Sequence, residues 1–352
     1  MSEHLFPYEW RLADGYPAKG IAYHGKKVFG TFICGGGSSM GYKLAGYNHL
    51  GGVELDPKVA AVYKLNLHPQ YLYTMDIREF NRLVDLSSDL YDLDLLDGSP
   101  PCSTFSTAGS RENAWGKEKR FAEGQKLQTL DDLVFVYCDT INKLKPKVCL
   151  LENVSGLVKG NGKVYAKKIM QKMIDIGYRP QCFLLNAASM GVPQKRERVF
   201  FIGLRKDFNL PKLKLNFNEK PILFGEITNH EDKGDIKTLS PQMLQIFQNL
   251  KSTDKGFGDV LSRAEGRKSG FGQCIFQPHF VCPTITTRRN SSILAEYPRR
   301  ILRDEVCKAG TYPQDYLCES DRKLGWLIGM SVPPVMTAQI ANQIYLQWLS
   351  KV

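Results

Sequence analysis

The sequence predicts an α/β fold with a parallel sheet, joined to a smaller domain of mixed structure. Up to Lys206, short apolar runs alternate with stretches of helical periodicity, as they do in βαβ units. Beyond Lys206 the alternation stops, and short elements, turns and basic runs continue to about Glu319. We therefore expect a first domain at 1–206, completed by a C-terminal helix at 321–352, and a second domain at 207–320.

The composition favours a polyanionic partner and free thiols. The 352 residues carry a net charge of +11, and none of their stretches approaches the ~18 apolar residues that a membrane-spanning helix needs. The nine cysteines form no CxxC pair, which favours a reducing compartment over a disulfide framework or a metal site. The first residues, Met1 to Arg11, lack the apolar core of a signal peptide. We expect a cytoplasmic protein without a metal or a membrane contact.

The first strand, Val28 to Ile33, runs into the glycine-rich stretch Cys34 to Gly41. Glycines let a ligand approach the backbone, and the free N–H groups of the following helix can hold its carboxylate or phosphate. Glu54, at the end of the second strand, lies 19 residues beyond Gly35, the distance at which an acidic side chain meets ribose hydroxyls in βαβ nucleotide sites. Nucleoside binding is favoured, and a nicotinamide site fits less well because Met40 occupies a position that needs glycine.

The third strand, Tyr71 to Thr74, leads to Asp76 and Ile77. Together these two side chains could offer a carboxylate to an adenine amino group and an apolar face to the ring. The alternative for Asp76 is an ordinary helix cap.

A fourth strand, Tyr91 to Leu96, ends in Asp97-Gly98-Ser99-Pro100-Pro101-Cys102. The two prolines fix φ and stop both sheet and helix, so the thiol of Cys102 is held on a stiff turn at a strand end. That placement suits a nucleophile, whereas the alternative is a buried cysteine in a tight turn. The following segment, Ser103 to Arg120, is polar and basic, and we expect a moving surface loop that can meet phosphates.

After a core helix at Lys126 to Leu144, the short strand Lys147 to Leu151 ends at Glu152. Desolvation at the mouth of a parallel sheet can raise the pKa of such a carboxyl enough for acid catalysis. The alternatives are a helix cap and a surface ion pair. Further along, alternation places Gln194, Arg196 and Arg198 on one face of an extended segment, where guanidiniums could anchor a phosphate or a base carbonyl or could simply line a charged sheet edge.

Three motifs stand in the order and approximate spacing that mark DNA (cytosine-5) methyltransferases: Pro101-Cys102, Glu152-Asn153-Val154 and Gln194-x-Arg196-x-Arg198. The sequence resembles that family, in its bacterial or phage type, from about Phe29 to Ile344, with only the variable recognition region left out. The resemblance implies a Rossmann-like S-adenosylmethionine-dependent methyltransferase domain and a smaller, mixed target-recognition domain.

The resemblance also implies three sets of site residues. The expected catalytic residues are Cys102, Glu152, Arg196 and Arg198. The expected cofactor-binding residues are Phe32, Gly35, Gly36, Gly37, Glu54, Leu55, Asp76, Ile77, Pro101, Leu133 and Ser331. The expected DNA-binding residues are Ser103, Ser106, Arg111, Gln194, Thr284, Arg288 and Arg289.

Two positions depart from the family pattern. Cys34 stands where the family usually has the first glycine of the cofactor loop, and we expect this change to be tolerated if the backbone there has a negative φ. Met330 replaces a usual Asn near the methionine end of the cofactor, so any contact there must come from backbone or water.

The implied reaction is methyl transfer from S-adenosylmethionine to carbon 5 of a flipped-out cytosine, with S-adenosylhomocysteine as the product. Cys102 would add to carbon 6, Glu152 would protonate N3 and Arg198 would hold the O2 carbonyl. The expected partner is double-stranded DNA, bound by a monomer, with a cognate restriction endonuclease encoded separately. The alternatives are methylation of tRNA cytosine, a non-catalytic DNA-binding relative and, more distantly, a nicotinamide oxidoreductase.

Overall fold

The structure, a computed structural model, describes residues 4–101, 132–160, 162–229, 239–266, 273–287 and 292–352. These residues form two compact units. The sheet unit comprises 16–186, 197–216 and 337–352, and the second unit comprises the residues up to Gly15, 187–196 and 217–336. The chain passes between these units five times, whereas the predicted domains require two passages. The role of target recognition assigned to 207–320 stays a prediction.

Seven strands form the sheet. They are β1 (Lys27–Thr31), β2 (Asn48–Glu54), β3 (Tyr71–Thr74), β4 (Leu95–Gly98), β5 (Val148–Val154), β6 (Tyr178–Asn186) and β7 (Glu197–Arg205). Their order is β3-β2-β1-β4-β5-β7-β6, in which the first five are parallel and β7 is antiparallel to both of its neighbours. The predicted α/β class with a largely parallel sheet is confirmed. The predicted start of the fourth strand is wrong, because Tyr91 ends a 3₁₀ turn and β4 begins four residues later, at Leu95.

Five helices accompany the strands of this unit: α1 (Gly37–Leu44), α2 (Pro57–Leu67), α3 (Ile77–Arg82), α4 (Leu133–Leu144) and α5 (Gly162–Asp175). Helix α2 begins where it does because Asp56 accepts hydrogen bonds from the backbone of Lys58 and Val59 and because Pro57 occupies the first turn. The part of the predicted core helix that precedes residue 132 lies outside the described residues.

A buried cluster fills the sheet face covered by α4 and α5. Its members include Phe29, Leu96, Tyr137, Leu151 and Ile169. The Tyr137 hydroxyl donates to the carbonyls of Leu96 and Leu150, 2.9 and 2.7 Å away. A Cβ on Gly98 would lie 2.4 Å from the Tyr137 ring, so only glycine lets the chain leave β4 above this ring.

The second unit contains shorter elements. They are α6 (Pro241–Phe247), α7 (Phe257–Glu265), α8 (Arg303–Gly310), α9 (Asp321–Met330) and a parallel pair, β8 (Cys274–Phe276) and β9 (Ser292–Leu294). Within this unit, the buried ion pair of Arg299 and Glu305 joins the N-terminus of α8 to the segment before it, with an Nη2–Oε1 distance of 2.8 Å.

The last helix, α10 (Pro334–Gln347), continues into the sheet unit. There the Tyr47 hydroxyl donates to the Ala341 carbonyl at 2.8 Å, and the Trp348 indole donates to the Pro211 carbonyl at 2.8 Å. Of the described stretches, Asp321–Lys351 has the length and apolarity of a membrane span, but 83% of its most apolar window is buried inside the protein, as in a core helix.

Candidate active site

The carboxyl ends of five parallel strands meet at one edge of the sheet. In open α/β sheets ligands bind outside these ends, at the point where the strand order reverses, which here lies between β1 and β4. Residues of the predicted site follow each of the five strands in turn: Phe32 after β1, Glu54 at the end of β2, Asp76 after β3, Pro101 after β4 and Glu152 near the end of β5. The topology therefore brings the sheet-unit residues of the prediction to one edge.

Three predicted cofactor residues form a small apolar cluster at this edge. Ile77 and Leu133 are buried, and the partly buried Phe32 packs against them together with Val136. These residues come from three separate parts of the chain, and their contact agrees with a shared role beside a flat apolar ring.

Both oxygens of the Glu54 carboxylate accept backbone hydrogen bonds, one of them from the glycine loop. Oε2 accepts from the backbone N–H of Cys34 at 2.9 Å, and Oε1 accepts from the N–H of Asp56 at 3.0 Å. Burial raises the pKa of Glu54, and the two N–H donors oppose that shift. The carboxylate is thus fixed at the end of β2, and Leu55 follows it, partly exposed.

The glycine loop leads directly into the N-terminus of α1. Gly36 has φ +82°, and a Cβ there would lie 2.9 Å from Leu67, so this position requires glycine. Gly35 precedes it, and Gly37 is the first residue of α1, so the glycine loop stands at a helix N-terminus, which favours negatively charged groups. The expected condition for Cys34 is not met: its φ is +47°, in the left-handed region that favours glycine.

Of the two roles that the sequence left as alternatives for Asp76, the structure shows the helix cap. It caps α3, since its carboxylate accepts from the backbone N–H of Arg78 at 2.7 Å. The Arg78 guanidinium, in turn, pairs with Asp132 at 2.9 Å. The cap fixes the start of α3, where Ile77 belongs to the apolar cluster. A contact between Asp76 and adenine stays a prediction.

The Pro-Pro turn is tied to the neighbouring strand. The side-chain amide of Asn153 donates to the Pro100 carbonyl at 3.1 Å, and Asn153 is 3% exposed. This bond fixes the backbone two residues before Cys102, beside Glu152. Cys102 itself lies outside the described residues, as do Ser103, Ser106, Arg111, Arg288 and Arg289 and the rest of the predicted loop.

Glu152 and Arg198 form an ion pair on the last two strands of the site. In the antiparallel β5–β7 register Glu152 is opposite Phe200, so Arg198 is its diagonal neighbour. Arg198 Nε lies 3.0 Å from Glu152 Oε1, and the side chains are 15% and 11% exposed. Burial lowers the pKa of Arg198, and the charge of Glu152 opposes this.

The predicted alternation of Gln194, Arg196 and Arg198 agrees with the burial of this segment, in which Gln194 and Arg196 are buried and Lys195 and Glu197 are exposed. Strand β7 begins at Glu197, and the two earlier residues belong to the second unit. There the Arg196 guanidinium donates to the carbonyls of Ile285, Gly329 and Ser331, at 3.1, 2.8 and 2.8 Å. Gln194, 1% exposed, donates to the Ala309 carbonyl and accepts from the Ile285 N–H. Both side chains therefore have backbone partners within the second unit.

The remaining predicted residues that the structure describes also lie in the second unit. The Thr284 hydroxyl donates to the Lys195 carbonyl at 2.5 Å, with the residue exposed. Ser331 accepts from the Tyr312 hydroxyl at 2.6 Å, and the neighbouring Met330 is 42% exposed. Among the residues that the structure describes, no group of three or more His, Cys, Asp or Glu side chains could hold a metal ion.

Comparisons with known proteins agree on one family. The family model described as C-5 cytosine-specific DNA methylase matches residues 27–346. The type II methyltransferase M.DdeI of Desulfomicrobium norvegicum is 33% identical, over 90% of this chain and 88% of that protein. The type II methyltransferase M1.HphI of Haemophilus parahaemolyticus is 32% identical, over 89% of this chain and 85% of that protein.

Solved structures share the fold. A prophage-encoded protein of E. coli superposes with a TM-score of 0.68 at 18% identity, over 92% of this chain and 99% of that one. The Dnmt2 methyltransferase of S. pombe superposes with a TM-score of 0.62 at 15% identity, over 91% and 98% of the two chains.

Proposed function

Because the chain belongs to the C-5 cytosine-specific DNA methylase family, we propose that it methylates carbon 5 of a flipped-out cytosine in a specific duplex sequence, through a covalent bond between Cys102 and carbon 6. The observation that carries this proposal is the Glu152–Arg198 pair, held on β5 and β7 beside the Pro-Pro turn that precedes Cys102. A carboxyl and a guanidinium at this edge are the two groups that an activated cytosine ring needs.

Cys102 supplies the nucleophile. Carbon 5 of cytosine is too electron-poor to attack a methyl donor, so the ring must first gain electron density by addition of a thiolate to carbon 6. The base cannot be reached inside a duplex and must leave the stack before this addition. The sulfur is expelled again when the carbon-5 proton is lost.

Glu152 and Arg198 stabilise the charge that builds on the ring. Glu152, in its protonated form, donates to N3 of the base, and Arg198 donates to O2. Their mutual contact of 3.0 Å preorganises both side chains before the base arrives. Arg196 and Gln194, which are occupied by backbone partners, have a bracing role in this proposal in place of the predicted substrate and DNA contacts.

S-adenosylmethionine, when bound, supplies the electrophilic methyl group and leaves as S-adenosylhomocysteine. The residues present fit such a molecule. The Phe32, Ile77 and Leu133 cluster offers an apolar surface for the adenine, Glu54 offers a carboxylate to the ribose hydroxyls, and the N-terminus of α1 offers N–H groups to a carboxylate. Gly35, Gly36, Gly37, Leu55, Asp76, Pro101 and Ser331 complete the proposed set.

In this proposal the second unit recognises the target sequence through Thr284, Arg288 and Arg289. The loop after Cys102 closes on the flipped base through Ser103, Ser106 and Arg111. We further propose that the chain acts as a monomer on DNA in the cytoplasm, at the nucleoid of a prokaryotic or phage-infected host, and that a cognate endonuclease is encoded separately. The net charge of +11 supports the polyanionic partner.

Sequencing of 5-methylcytosine in DNA from cells that express the protein tests the proposal. We expect methylation at one short sequence motif, absent when Cys102→Ala is expressed at the same level. In parallel, purified protein is offered duplex DNA and total tRNA with tritiated cofactor, and label is expected in the DNA. Label confined to tRNA, or a motif still methylated by Cys102→Ala, would contradict the proposal.

A further inference from the structure

A second carboxyl group is buried beneath Glu152. Asp97, the penultimate residue of β4, is 4% exposed. Its Oδ1 accepts from the hydroxyl of Tyr42 on α1 at 3.1 Å, and the side chain of Ser38, also on α1, bonds to the same carboxyl. Asp97 thus has hydroxyl partners that tolerate either of its protonation states.

Asp97 and Glu152 share one face of the sheet. In the parallel β4–β5 register Asp97 is opposite Leu150, and Glu152 follows Leu150 by two residues. Because side chains alternate along a strand, both carboxyls project on the same side, as diagonal neighbours on adjacent strands. The opposite side is occupied by Tyr137 and the apolar cluster. Glu152 is 8% exposed, so water screens neither group well.

Three tyrosines and one histidine around the two carboxyls are neutral near pH 7. Tyr42 on α1, Tyr63 on α2 and Tyr137 on α4 are fully buried, and burial raises the pKa of each phenol. His49 on β2 lies behind Tyr42, and burial lowers its pKa to about 3. Arg198 on β7 contacts Glu152 and is the positively charged side chain beside the two carboxyls.

Two carboxyls in one poorly hydrated site cannot both ionise freely. Burial raises the pKa of Asp97 to about 7, the Tyr42 hydroxyl opposes this shift, and the charge of Glu152 adds to it. The interaction is reciprocal by linkage, so Asp97 favours the protonated form of Glu152 wherever Asp97 is itself ionised, which is above about pH 7.

We propose that Asp97 is a positioning residue that keeps a proton on Glu152, so that Glu152 can donate to N3 of the base up to a higher pH than it could alone. The proposal rests on the acid role of Glu152 in the proposed function. Asp97 touches neither the base nor the cofactor in this scheme, and it acts through the field of its carboxylate.

The pH profile of single-turnover methyl transfer tests this role. Asp97→Asn keeps the side-chain shape and loses the charge, so the alkaline limb of the pH–rate profile should move to lower pH. Rates should be roughly tenfold below the wild type above pH 7, where Asp97 is ionised, and near-equal at pH 6. Tyr42→Phe removes the hydroxyl that stabilises ionised Asp97, and it should shift the limb in the same direction by less. Tyr42→Phe also tests the proposal if Asp97→Asn does not fold.

Tyr178→Phe is the matched control, because it removes an equally buried hydroxyl, bonded to the Pro146 carbonyl at 2.6 Å and distant from the site. Its pH profile should equal that of the wild type. An alkaline limb left in place by both Asp97→Asn and Tyr42→Phe, whatever the drop in rate, would overturn the proposal.

An infrared titration of the free protein separates this proposal from the proposed function. The carbonyl stretch of protonated Glu152, identified by its loss in Glu152→Gln, should disappear at a lower pH in Asp97→Asn than in the wild type. A shifted band in a protein that methylates no DNA would contradict the proposed function alone. An unshifted band would contradict the coupling, whether or not the enzyme is active.

Discussion

Arg198 Nε lies 3.0 Å from Glu152 Oε1, and the two side chains are 15% and 11% exposed. One member comes from a parallel strand and the other from the antiparallel strand beside it, so the reversal of β7 is what allows the contact. A poorly hydrated ion pair of this kind holds both groups in place. Glu152 must also take up its proton beside a positive charge, which disfavours protonation. Any neighbouring group that favours the protonated form of Glu152 is therefore important.

Removal of the acid should stop most turnover. Glu152→Gln retains a hydrogen-bonding amide and the side-chain volume but cannot deliver a proton, so we expect methyl transfer to fall by at least ~100-fold. Single-turnover transfer of tritium from labelled cofactor to duplex DNA measures this.

The control is Glu197→Gln, on the adjacent position of β7, where the carboxylate is exposed and pairs with Lys159 at 2.9 Å. It should change the rate by less than about twofold, because exposed ion pairs contribute little. A loss below tenfold for Glu152→Gln would reduce Glu152 to a structural residue.

The left-handed backbone at Cys34 should make this position sensitive to side-chain shape. Cys34→Val places a β-branched residue at φ +47°, and we expect weaker cofactor binding, by about 1–2 kcal/mol, whereas Cys34→Gly should bind at least as tightly as the wild type. Isothermal titration with S-adenosylhomocysteine measures both. Cys182→Val, on strand β6 with an exposed side chain, is the matched control and should leave affinity unchanged. Equal affinities for all three variants would refute the strain.

The buried pair in the second unit should dominate its stability. Glu305, 0% exposed, accepts from Arg299 at 2.8 Å and from the Thr228 hydroxyl at 2.5 Å. Glu305→Gln leaves Arg299 buried without its counter-charge, so we expect a loss of roughly 3–5 kcal/mol in unfolding free energy by urea denaturation. Asp321→Asn, which breaks the exposed pair with Arg303, should cost no more than about 1 kcal/mol. Similar losses for the two variants would contradict this ranking.

The Arg299–Glu305 pair should also make the unfolding free energy depend on pH. Burial acts to raise the pKa of Glu305, but hydrogen bonds from Arg299 and Thr228 outweigh it, and the folded pKa lies below the ordinary value of 4.5. The contribution is therefore fully present above pH 4.5 and is lost as the pH falls through the folded pKa. The stability curves of the wild type and Glu305→Gln should converge below pH 4.5 and remain parallel above it.

Sequence reasoning succeeded where the signal was local. Tyr71 to Thr74 is a strand with the predicted bounds, and the spacing of Glu54 from the glycine loop follows from a βαβ unit in which β2 ends opposite that loop. The contact of Phe32, Ile77 and Leu133 is not local, but it is fixed by the strand order once the fold class is known.

Sequence reasoning failed where long-range contacts determine the partners of a side chain or the backbone conformation. Arg196 alternates correctly with Arg198, yet its guanidinium is drawn to three carbonyls of the second unit that lie 89 to 135 residues away in sequence. Nothing in Cys34 itself indicates a left-handed φ, which the turn after β1 imposes. Asp97 has the sequence signature of the polar end of an apolar strand, whereas its strand partners bury it near Glu152.

The most direct test of the account is covalent capture of the base. A duplex that carries 5-fluorocytosine at the methylated position, incubated with the protein and S-adenosylmethionine, should become permanently attached, because the fluorine cannot leave as the carbon-5 proton does. Mass spectrometry of the digested complex is expected to place the modified nucleotide on Cys102, with no adduct for Cys102→Ala. An active enzyme that gives no adduct, or one whose adduct maps to another cysteine, would contradict the central claim.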